Sequence, residues 1–93
     1  MWNSPGNPIP RSHIIRDAFE HLERVRLCVL EEEYPMDFRS ALRVLTDKGS
    51  LPDHHARQFE ALMTSESLDP CRRAVALDYC LRHIRSALGN QLR

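Results

Sequence analysis

The sequence has no run approaching eighteen consecutive apolar residues, and no basic stretch leading into an apolar one at its start. The first lack argues against a membrane-spanning helix and the second against a secretory leader. Glycine is scarce, at three residues, so there is no glycine-rich phosphate loop and no Gly-x-Ser-x-Gly nucleophile turn. The cysteines are few and odd in number. Cys28, Cys71 and Cys80 include no Cys-x-x-Cys pair and do not fit a closed disulfide framework. The expectation is a cytoplasmic chain with reduced thiols. Excess charge of one sign is also missing: thirteen basic side chains balance thirteen acidic ones, whereas a nucleic-acid binder shows a basic surplus. Lysine is nearly absent. Twelve of the thirteen basic residues are arginine, Lys48 being the exception, and arginine suits interface pairing and stacking better than lysine does.

What is present is helical punctuation. Residues 1–10 hold three prolines and a glycine, which forbid helix and read as a flexible arm, with Trp2 as its one bulky apolar residue. Residues 11–93 read as one all-α domain of four helices, two long and two short. Ser12 is a candidate N-cap for a first helix over about 13–33. Its apolar residues Ile14, Ile15, Ala18, Phe19, Leu22, Val25, Val29 and Leu30 share one broad face. Arg26 interrupts that face, and Leu27 stands alone opposite. Tyr34-Pro35 closes the helix, because the residue before proline avoids the α region. A second helix over about 36–48 carries Phe38, Ala41, Leu42 and Leu45, with Gly49 as its stop. Ser50-Leu51-Pro52-Asp53 then resembles a capping box opening a third helix, about 52–64, with Ala56, Phe59, Leu62 and Met63 inward. Asp69-Pro70 repeats the cap-then-proline signal for a fourth helix over 70–88, which Gly89 ends.

The fourth helix is written twice. Ala74, Leu77, Leu81, Ile84 and Leu88 form the three-four stripe of a buried face. Val75, Tyr79 and His83, four residues apart, form a second strip about 160° around the cylinder. Arg72, Arg82 and Ser86 flank it. Aromatic and arginine side chains on a partly apolar face match the composition of an interface core. The expected partner-binding residues are therefore Arg72, Val75, Tyr79, Arg82 and His83; the competing expectation is that a short helix packs over the strip. A ninety-three-residue chain buries only about 60–65 % of its unfolded surface, so a homodimer is the expected remedy. The two short helices should also leave part of a long helix's stripe uncovered. Residues 70–93 carry five arginines against Asp78, a local charge of +4, which leaves −4 on the remainder. That division suits pairing within the chain or between subunits.

Chemistry finds little support. Adjacent His54 and His55 point about 100° apart on a helix, and His13 and His21 are eight residues apart, so neither pair seats zinc. His55 reads as a core-edge histidine with a hydrogen-bond partner. Cys71, in a first helical turn beside Arg72 and Arg73, has an electropositive setting but no accompanying base. Glu31, Glu32 and Glu33 at the end of the first helix oppose its dipole, and the arginines of the fourth helix are candidates to compensate. No catalytic, cofactor-binding or metal-ligating residue is assigned. The sequence favours a small regulatory or adaptor protein acting by stoichiometric binding, occluding the assembly interface of a target such as a transcription regulator. The alternative is a dimeric helix-turn-helix DNA binder using the second and third helices. There the outward His54, Arg57 and Gln58 would read bases, but Asp53, Glu60 and Glu66 lie among them.

Overall fold

The computed structural model describes residues 10–31 and 37–92. These fold as an all-α bundle: α1 (Arg11–Leu30), α2 (Phe38–Asp47), α3 (Asp53–Thr64) and α4 (Pro70–Leu88), followed by a 3₁₀ turn at Gly89–Leu92. No strand occurs among the described residues. The expectations for the arm at residues 1–9, Trp2, Tyr34-Pro35, Glu32 and Glu33 lie outside them.

Two helix starts obey the sequence signals. The Asp69 carboxylate accepts from the Arg72 backbone N–H at 2.8 Å, and Pro70 occupies the first turn, where its missing N–H costs nothing. At α2 the Asp37 carboxylate accepts from both the N–H and the hydroxyl of Ser40. It therefore starts two residues later than expected. The other two starts differ. α1 begins at Arg11, with Pro10 as its N-cap and Ser12 inside the first turn, because the Pro10 carbonyl accepts from His13 and Ile14. α1 also ends at Leu30, earlier than expected, with Glu31 as C-cap. Pro52, not Ser50, precedes α3, and its carbonyl accepts from His55 N–H at 3.1 Å. Ser50 instead takes the left-handed backbone, at φ 55°.

The turn between α2 and α3 uses glycine for space. Gly49 sits under Leu88, and a Cβ there would lie 2.8 Å from the Leu45 carbonyl oxygen and 2.9 Å from Leu88 Cδ2. The Gly49 carbonyl accepts from Gln91 Nε2 at 3.0 Å. Gly89, by contrast, is needed for its conformation: φ 55°, ψ −124° is open to glycine but strained for an L-residue. It turns the chain so that the final 3₁₀ segment folds back onto α1.

Neighbouring helices are antiparallel. Arg11 Nε donates to the Lys48 carbonyl, placing the start of α1 beside the end of α2. Arg26 pairs with Asp78 at 3.9 Å, placing the second half of α1 beside the first half of α4. The Arg73 guanidinium donates to the carbonyls of Ser65 and Leu68, clamping the end of α3 onto α4. One core results, built on Ile15, Phe19, Leu22 and Val25 from α1, Leu42 and Leu45 from α2, Phe59 and Met63 from α3, and Leu77, Leu81, Ile84 and Leu88 from α4. Phe38 and Phe59 meet as a tilted pair with centroids 6.0 Å apart. Among the described residues no polar or charged side chain is fully buried.

The α4 stripe from Ala74 to Leu88 is entirely covered, so the leftover surface expected from the short helices is not there. It lies on α1: Leu30, expected inward, is 46 % exposed. Eight residues beyond Leu22, it has rotated about 80° from the centre of the α1 stripe.

Candidate protein interface

The second strip of α4 emerges open to solvent. Val75 is 72 % exposed and Tyr79 is 58 % exposed; neither α2 nor α3 packs over them. This follows from the packing of α4. Its covered sector, centred on Leu77, Leu81 and Ile84, faces the core. α1 borders it at Asp78, and α3 borders it at Cys80, whose thiol lies 4.0 Å from the His55 carbonyl. The remaining sector carries Arg72, Val75, Tyr79, Arg82, His83 and Ser86, every one exposed.

The strip has internal order. The Tyr79 and His83 rings lie 4.6 Å apart at 51°, an i, i+4 aromatic pair that fixes both side chains against the helix. Cys71, Arg72, Val75, Ala76 and Tyr79 line a shallow depression of about 490 Å³. Arg82 reaches Asp78 at 3.3 Å and Arg72 reaches Asp69 at 3.7 Å. Both pairs are exposed and worth little to stability. They hold the guanidiniums at the margins of the apolar strip. The five residues expected from the sequence thus share one surface.

Two further large apolar side chains are exposed, both on α1. Among the described residues the exposed large hydrophobics are Val75, Tyr79, Leu27 at 50 % and Leu30 at 46 %. The last two lie on the half of α1 that the Arg26–Asp78 pair ties to α4. The isolation of Leu27 on the helical wheel was legible; the Arg26–Asp78 link between its helix and α4 was not.

Other candidate sites carry less. His54 and His55 stack with centroids 4.1 Å apart. His55 is half-buried, and its Nδ1 has no hydrogen-bond partner, contrary to the partner expected. Burial, with help from neighbouring His54 and His83, holds its pKa below the ordinary 6.5. Among the described residues no group of three or more His, Cys, Asp or Glu side chains is placed to hold a metal ion. Around Cys71 the arginines are engaged elsewhere, Arg72 with Asp69 and Arg73 with the end of α3. The buried Cys80 thiol is pushed up to about 11 by burial. On α3, Arg57 is bridged to Asp53 at 2.5 Å, and Glu60 holds Arg39 of α2 at 3.2 Å, so carboxylates already engage two of the arginines of that pair of helices. No described helix is long and apolar enough to cross a membrane. Comparison with protein-family models, with curated proteins and with solved structures finds no match to this chain.

Proposed function

We propose that this chain is a small regulatory or adaptor protein that works by stoichiometric protein–protein binding, with the outer strip of α4 as its contact surface. The observation that supports this reading is the exposure of Val75 and Tyr79 on a helix whose other face already completes the core. Covering a large apolar side chain is worth about 1.5–3 kcal/mol, so a partner that seats on both residues gains several kcal/mol. Arg72, Arg82 and His83 surround the pair and would set orientation and exclude mismatched partners. The mode of action would be occlusion: the strip covers a helical surface that a target, such as a transcription regulator, uses for its own assembly. The reading assigns no catalytic step. A cytoplasmic setting agrees with the free thiols of Cys28, Cys71 and Cys80.

The test is capture from an extract of the source organism, with wild type and Tyr79→Ala as baits. A target held in one-to-one ratio by wild type and lost from Tyr79→Ala, with helical circular dichroism unchanged, is the expected result. Equal capture by both baits would remove the strip from the proposal. Wild type capturing nothing in one-to-one ratio would remove the target.

A further inference from the structure

We infer that the occupant of this face in the free protein is a second copy of the same chain, docked crosswise, with α1 of each copy against α4 of the other. The inference rests on the reading of the strip as a contact surface and adds the partner and its orientation.

Location is the first support. Leu27 and Leu30 lie within four residues of Arg26 on α1, and Val75 and Tyr79 within three residues of Asp78 on α4, the two helices that the Arg26–Asp78 pair joins. With large side chains presenting about 150–250 Å² each when fully exposed, the four offer on the order of 400 Å². That is about the apolar share of a standard interface, which buries about 800 Å² per partner and is a little over half apolar.

Charge decides the orientation. The open face of α4 carries Arg72, Arg82 and His83, with Arg85 at its edge; Asp69 at the N-cap pairs with Arg72 and Asp78 is shared between Arg26 and Arg82, which leaves the face with an excess of arginine. Laying α4 on α4 would set these arginines against their own copies. The open face of α1 surrounds Leu27 with exposed Glu20, Glu23 and Glu31, against one exposed base, Arg24, and the half-exposed Arg16 and Arg26, the latter already paired with Asp78. Crosswise docking puts Leu27 and Leu30 on Val75 and Tyr79 and sets the glutamates opposite the arginines. A two-fold axis makes the same contact twice, so the interface closes at two chains. Self-pairing and target binding then compete for one surface.

Sedimentation equilibrium on the full chain tests this. The wild type should show a two-chain mass at micromolar concentration. Leu27→Glu and Val75→Glu should each raise the dissociation constant at least about thirtyfold, the effect of losing a central anchor. Because both positions are exposed, helical circular dichroism should stay unchanged. Added salt should weaken the crosswise dimer by screening its opposite charges, whereas a like-on-like α4 seam would tighten. A single-chain wild-type mass overturns the inference and leaves the face to a foreign partner. A two-chain mass that survives Leu27→Glu, or that strengthens with salt, overturns the crosswise arrangement. A wild type that forms the two-chain species but captures no target in one-to-one ratio would instead count against the proposed function alone.

Discussion

Replacing Gly49 by alanine sets two opposing terms against each other. Alanine restricts the unfolded chain, which by itself stabilises by about 0.4–1 kcal/mol. The backbone at Gly49 is not in the left-handed region, so conformation raises no objection. Space does. The new Cβ would stand 2.8 Å from the Leu45 carbonyl oxygen and 2.9 Å from Leu88 Cδ2. Leu88 could swing, although it is almost fully buried. The carbonyl cannot, because it accepts N–H groups from both Gly49 and Leu51 at 3.1 Å. Overpacking of this kind costs about 1–3 kcal/mol, so the net expectation is destabilisation by about 1–2 kcal/mol. For a domain of this size each kcal/mol lowers the melting midpoint by about 4–8 °C. Urea unfolding of wild type, Gly49→Ala, Leu88→Val and the double variant measures the term and its partner. Coupling to Leu88 should recover part of the loss. A Gly49→Ala protein as stable as wild type, or more so, would refute the packing argument.

Three further outcomes are expected. His55 has a lowered pKa when folded, so the folded state binds fewer protons than the unfolded chain just below pH 6.5; stability should fall as pH drops through that point towards the folded value. His55→Gln should flatten that part of the profile, and an unchanged profile would show that the burial of His55 carries no linkage. Asp69→Ala removes the α4 N-cap bond and should cost about 1 kcal/mol in urea unfolding, whereas Asp69→Asn should retain most of it. With a thiol-reactive probe, exposed Cys71 should label in the native protein, while buried Cys80, its thiol raised to about 11, should label only on unfolding. Native labelling of Cys80 at the rate of Cys71 would contradict the closed α3–α4 contact.

Local signals carried much of the architecture, and where they failed the cause was non-local. Asp69-Pro70 and Gly89 bounded α4 to the residue because cap geometry and glycine-only backbone act within one turn. Ser50 misled because a capping-box spelling is also a turn spelling. The chain used Ser50 at φ 55° and left the cap to the Pro52 carbonyl. Gly49 read as a helix stop, yet its function is to admit Leu88 from the far end of the chain. The two clamps of α4, Arg26 to Asp78 and Arg73 to the end of α3, join residues whose proximity no spacing rule reports.

The sequence by itself determined that α4 has two apolar faces. Periodicity is a property of the chain: residues three and four apart must share a side of a helix, whatever surrounds it. Only the tertiary structure decided which face is used up. The stripe at Ala74–Leu88 vanished into the core, and the strip at Val75 and Tyr79 stayed in solvent, as did Leu27 and Leu30 of α1. That choice rests on where α1 and α3 meet α4. It is fixed by the summed burial of the whole core, which no single helix encodes.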